Sequence, residues 1–174
     1  MKRKLAYILV VLVFGTIAIM GYQIFRKLAF RAAVRERIAT LPDLELFFSL
    51  DGDRFRGDSL PPEKAVILLY FHSDCVFCTG EIKDILDHPD LIASTSLLLI
   101  SSEPTTTLRA FQRKYKLGTY PHIQVLQDTS GVFYRTFGTK VFPSAFLYNS
   151  HRELLKQYRG QVPANTLYRI IGTG

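Results

Sequence analysis

The chain has 174 residues, no tryptophan and only two cysteines. Two cysteines cannot build the disulfide framework that stabilises small loop-rich scaffolds. The fold must therefore rest on an apolar core, for which 48% hydrophobic residues are enough. With no second C-x-x-C and no pair of closely spaced histidines, a four-ligand structural zinc site has no ligands. Thr79 follows the second cysteine, where haem attachment needs a histidine. Internal repeats and low-complexity tracts are absent as well. Most of the chain also lacks a cationic excess. The formal net charge of +7 arises within residues 1–41, where eight Lys and Arg face Glu36 alone, whereas 42–174 hold 14 basic and 14 acidic side chains. A neutral globular part has no excess charge to set against phosphates, so nucleic acid is not an expected partner.

One stretch lacks charge altogether. Leu5–Phe25 runs for 21 residues with Gln23 as its only strongly polar side chain. As a helix it would span roughly 30 Å, the hydrocarbon thickness of a bilayer. Tyr7 and Tyr22 stand near its ends, where interfacial aromatics collect. A cleaved signal peptide would have a shorter apolar region followed by small residues, but Arg26-Lys27 follows here. The expectation is an N-terminal membrane anchor (1–25, spanning about 5–25) that embeds in the lipid bilayer. A basic helical stalk (26–41) and a globular domain (42–174) should follow. Basic residues flank the span on both sides in nearly equal number, so charge alone sets no orientation.

From Pro42 the pattern alternates. LELFFSL (44–50), Asp51-Gly52 and RFRG (54–57) predict a β-hairpin. AVILLYF (65–71) and STSLLLIS (94–101) read as strands buried on both faces. Helices are expected at 75–88, ended by Pro89, and at 104–116. A short strand at 122–126 and a short helix before Gly138 follow. The chain should close with a hairpin (144–149 and 153–159) and a helix (163–171). This order predicts an α/β domain with a mixed sheet.

Both cysteines fall in one motif, Asp74-Cys75-Val76-Phe77-Cys78, where a buried strand gives way to a helix. The positive end of a helix dipole stabilises a thiolate at Cys75. Two intervening residues let the sulfurs approach. Cys75 then suits attack on a disulfide, and Cys78, one turn further in, suits resolution of the mixed disulfide. Two other readings use the same motif: a copper carrier completed by His72, His88, His122 or His151, and a redox-silent docking module.

Over about 42–171 the chain resembles membrane-anchored thioredoxin-like thiol–disulfide oxidoreductases of the TlpA/ResA type. The resemblance is carried by the hairpin LELFFSLDGDRFRG, by FHSDCVFCTGEI, by FQRKYKLGTYPHIQVLQDTSGVFYRTFG and by KVFPSAFLYNSHRELLKQYRG. It implies a thioredoxin-like fold: a mixed central sheet flanked by helices, with an N-terminal β-hairpin and an extra helix–strand insertion, behind one transmembrane helix. It implies that Pro143 is a cis-proline facing the cysteines, that the Phe142 backbone pairs with substrate, and that Glu81 accepts a proton near Cys78. The implied cofactor is none beyond a redox-active Cys75–Cys78 disulfide, with no metal. Implied partners are protein thiols and disulfides and a membrane electron donor, with the domain on the periplasmic side of the cytoplasmic membrane. The chain departs from the pattern in three places. Asp74 replaces the usual aromatic before the first cysteine, Val76-Phe77 lacks the usual proline, and Leu69 stands where thioredoxin buries an Asp.

Overall fold

The computed structural model describes residues 2–173, with nothing described of the side chains of 2–11 and 13. The chain forms two units, Met1–Glu36 and Arg37–Gly174. Residues 2–36 of the first lie within a single helix, α1 (Lys2–Arg37). Leu12, Phe14, Ile17, Ile19, Met20 and Phe25 are exposed along it, and no one face collects them. Among the described residues no helix is long and apolar enough to cross a membrane. Within the expected span 5–25 nothing is described of the side chains of 5–11 and 13.

The second unit runs β1 (Phe48–Ser49), β2 (Ala65–Tyr70), α2 (Val76–Leu86), α3 (Pro89–Ser94), β3 (Thr95–Ser101), α4 (Thr105–Lys114), β4 (Ile123–Gln127), α5 (Val132–Phe137), β5 (Ser144–Tyr148), β6 (Leu154–Arg159) and α6 (Ala164–Ile171). The strands form one mixed sheet in the order β1-β4-β3-β2-β5-β6. β2, β3 and β4 are mutually parallel, while β5 is antiparallel to β2, β6 to β5 and β1 to β4. Every residue of β2, β3 and β5 is buried. Their unbroken apolar runs require this, because both faces of the sheet are covered. One face packs Ile67, Leu69, Leu99 and Leu147 against Ile82 and Ile85 of α2, Leu108 and Phe111 of α4 and Leu167 of α6. The other face is aromatic. Tyr70 lies flat on Phe133 (centroids 4.0 Å apart, 6°), Phe133 stacks on Phe137 at 4.3 Å, and Phe137 meets Phe146 at 4.8 Å. Each such buried ring contributes about 1.5–3 kcal/mol relative to exposure.

Two expectations change, and the helix expected before Gly138 is found. Residues 44–57 do not form a full hairpin: only Phe48–Ser49 is strand, and a single bridge joins Phe48 to Arg54. Leu44 and Phe47 are both buried, three residues apart, and the Phe47 N–H bonds the Leu44 carbonyl at 3.0 Å. This turn places both side chains on one side, which strand alternation cannot do. Pro89 does more than stop a helix, since it occupies the first turn of α3, where its missing N–H costs nothing. The segment before Gly138 is helical from Val132, held by the Asp128 carboxylate, which accepts the Val132 and Phe133 N–H groups at 2.8 and 2.9 Å.

Parallel pairing sets the carboxyl ends of β2 and β3 side by side. Crevices in α/β sheets open at such ends, and here the chain turns from β2 into the cysteine motif.

Candidate active site

Residues 71–75 make the turn from strand to helix. The Phe71 N–H still pairs with Ile100 at 3.0 Å, and the Cys75 N–H closes a turn on the His72 carbonyl at 3.1 Å. Cys75 is the N-cap of α2, in extended conformation, and its Sγ accepts the Cys78 N–H at 3.2 Å. This satisfies one of the orphan donors of the helix start with a sulfur, and it sets that sulfur where donors and dipole favour negative charge. Both cysteines are free thiols, Cys75 partly exposed and Cys78 fully buried. Cys78, Ile82 and Ile85 follow helical spacing on the buried face of α2. Burial pushes the Cys78 thiol up to about 12; the Cys75 sulfur beside it and the Glu81 carboxylate add to the shift.

Glu81 lies on the same buried face, one turn beyond Cys78. It has no exposed surface, and neither carboxylate oxygen has a hydrogen-bond partner. Burial raises its pKa to about 8, and Asp84 one turn on pushes the same way. The Val162 backbone, too poorly placed to bond either oxygen, opposes the shift only in part. A carboxyl in this state changes protonation near neutrality and has no structural partner to release, as a proton acceptor requires.

A second buried acid, Glu103, has no counterpart among the residues singled out from sequence. It follows β3 directly. Its Oε2 accepts the Ser73 N–H at 2.7 Å and the Ser101 hydroxyl at 3.0 Å, and its Oε1 accepts the Ser73 hydroxyl at 2.5 Å. The His72 ring nitrogen lies 3.7 Å from Oε1. Glu103 thus ties the loop carrying Cys75 to the end of the neighbouring strand. The only sequence signal was its position, an acid two residues past a buried strand whose end abuts that of β2.

The other wall comes from β5. Register pairs Tyr70 with Ser144, so the residues before Ser144 run beside Phe71 and His72. The Phe142–Pro143 peptide bond is cis. The Phe142 ring packs on Tyr70 at 4.7 Å and meets His72 edge-on at 5.8 Å. The Gly160 N–H bonds the Pro143 carbonyl at 2.8 Å, and the Ser144 hydroxyl bonds the Val141 carbonyl at 2.8 Å. Among the described residues neither the N–H nor the C=O of Phe142 has a partner.

The cysteines, Glu81, Phe142 and Pro143 are therefore brought to one end of the sheet. Leu69 is buried in the core on the same face as Cys78, so Glu81 is the acid on that side. Of the four histidines offered to copper, His72 lies in the turn that carries Cys75 and the other three stand away from the cysteines. His122 precedes β4 and His151 lies in the β5–β6 turn, both at the far end of the sheet, and His88 sits past the other end of α2. Among the described residues no group of three or more His, Cys, Asp or Glu is placed to hold a metal ion.

No family model matches the chain, and no curated protein matches it. Solved structures do. The chain is similar to dsbF of MTB, with 23% identity over 77% of this chain and 98% of that one and a TM-score of 0.63. It is similar to a secreted Mycobacterium tuberculosis disulfide oxidoreductase homologous to E. coli DsbE, at 18% identity, 80% and 98% coverage and a TM-score of 0.61. A thiol:disulfide interchange protein of the thioredoxin family from Chlorobium tepidum matches at 19% identity, 77% and 95% coverage and a TM-score of 0.61. The fold shared with these neighbours is the thioredoxin-like α/β fold.

Proposed function

We propose that this protein is a thiol–disulfide oxidoreductase that reduces protein disulfides. The observation that carries this reading is the pairing of a partly exposed Cys75 at a helix start with a buried Cys78 beside an unpartnered carboxylate. The fold-level likeness to disulfide oxidoreductases supports it.

Cys75, as thiolate, attacks one sulfur of a substrate disulfide. The Cys75–substrate bond forms, the substrate bond breaks, and the released sulfur takes a proton from water. Cys75 then carries no charge, so one influence holding Cys78 protonated disappears. Cys78 gives its proton to the ionised fraction of Glu81 and attacks the Cys75 sulfur. The second substrate sulfur leaves as a thiolate and takes that proton from Glu81, and two electrons have passed from the dithiol to the substrate. The Phe142 backbone, with both polar groups free, pairs with an extended substrate segment beside Pro143. The resulting Cys75–Cys78 disulfide needs a membrane protein as electron donor if the domain lies in a compartment without a reducing thiol pool.

We place the domain outside the cytoplasmic membrane, tethered by its N-terminal helix, where disulfides of apocytochrome c or other envelope proteins are candidate substrates. The charge-free stretch 5–25 supports this, as do the apolar side chains exposed on every side of α1 from Leu12 to Phe25. The reducing direction follows from what surrounds Cys75: Asp74 directly before it and no Lys or Arg between 72 and 78. The potential should lie nearer the thioredoxin value of about −270 mV than the DsbA value of about −120 mV.

Trapping tests the reading. Cys78→Ala in the full chain should accumulate mixed disulfides through Cys75, and Cys75→Ser should accumulate none. Absence of adducts in the first, or one copper or zinc per chain in the reduced wild type, would remove the assignment. Equilibration with dithiothreitol buffers reads the direction, and a value above about −180 mV would make the protein an oxidant or isomerase. A membrane-impermeant thiol reagent on intact cells should label Cys75 if the domain faces out.

A further inference from the structure

Within 72–78 and 140–143 the exposed charged side chains are Asp74 and Lys140, and the Lys140 Nζ lies over the Tyr134 ring; the other exposed side chains are apolar. Val76 and Phe77, the first two residues of α2, are 78% and 65% exposed. Across the site Val141 is 48% exposed, and the Phe142 ring is fixed against Tyr70 and His72. Single exposed apolar residues are ordinary, but apolar residues exposed on both segments that end beside a reactive sulfur mark a contact surface. Asp74 is exposed and supplies the one carboxylate of segment 72–78, which holds no Lys or Arg.

What occupies this surface is constrained by Cys75 at its centre. It must be a polypeptide that presents a disulfide and can lie extended along the free N–H and C=O of Phe142. Side chains beside its cysteine then fall between the two apolar banks. Acidic flanks would meet Asp74, and a small charged disulfide such as glutathione's has no apolar side chain to bury. Resting on the exchange reaction above, we propose that the site selects disulfides whose reactive cysteine is flanked by large apolar residues, read by Val76 and Phe77 on one bank and Val141 and Phe142 on the other.

The test uses the full chain, reduced, and disulfide-linked synthetic peptides that are identical except for Phe, Gly or Asp beside the cysteine. The readout is the second-order rate of oxidation of the Cys75–Cys78 dithiol. Phe flanks should react about tenfold faster than Gly flanks, the worth of burying part of one ring, with Asp flanks and oxidised glutathione slowest. Phe77→Ser should bring the Phe-to-Gly ratio within about twofold of unity, and Tyr168→Ser, an exposed ring on α6, should leave it unchanged. Equal rates for all three peptides overturn the inference and leave the exchange reaction standing, as does a preference that survives in Phe77→Ser or is lost in Tyr168→Ser. No oxidation by any peptide or by oxidised glutathione overturns both.

Discussion

Glu81 and Glu103 are two acids withdrawn from water on either side of one cysteine motif, and they are treated oppositely. Glu103, on the loop side, accepts three hydrogen bonds from Ser73 and Ser101. Glu81, on the helix side, accepts none. A satisfied carboxylate fixes geometry, because moving it breaks several bonds at once. An unsatisfied one is costly to ionise and is therefore suited to holding a proton and releasing it as surrounding charge changes. The contrast separates what holds Cys75 in place from what lets Cys78 react.

The largest effect should come from removing the proton-holding acid. Because burial raises the folded value of Glu81 to about 8 from 4.5, the folded state keeps a proton that the unfolded chain gives up. The stabilising contribution is fully present below about pH 4.5 and is lost as pH rises through about 8, a change of about 5 kcal/mol. Urea unfolding from pH 5 to 9 should show this decline in the wild type, and Glu81→Gln should flatten it. The same variant should slow resolution of the mixed disulfide while leaving its formation intact, seen by quenched-flow trapping.

Breaking the clamp comes next. Glu103→Ala strands the Ser73 N–H and two hydroxyls and should cost about 3 kcal/mol by denaturant titration, with little change in the pH profile. A pH dependence lost in Glu103→Ala but kept in Glu81→Gln would reverse the two roles. Asp84→Asn should act more weakly. Its amide oxygen can still accept the Ala164 N–H that Asp84 now holds at 2.6 Å, but the charge that raises Glu81 is gone. The stability decline should shift to lower pH by less than about one unit. Smallest is Asp74→Asn, expected to raise the reduction potential by about 10 mV; no change would mean that its exposed carboxylate points away from the sulfur.

The sequence by itself determined the central strands, because AVILLY and LLLI have no polar side to give to solvent. Period and punctuation likewise located α2, α4 and α6 and the β5–β6 hairpin, and spacing at a strand–helix junction singled out Cys75 and Cys78. Segments whose conformation depends on a distant partner were not legible. LELFF has the local pattern of a strand, but Leu44 and Phe47 are both buried, and Phe47 meets Phe133 of the aromatic face. Glu103 and Glu81 are the same residue type in unremarkable local settings, and nothing along the chain says which will be met by donors. Only the parallel register of β2 and β3 brings Ser73 to Glu103, and only the closing of α2 onto the sheet seals Glu81 from water. A local pattern fixes backbone geometry through propensity and periodicity. Which polar group is satisfied and which is left bare depends on contacts between residues far apart in sequence, and tertiary structure alone makes those.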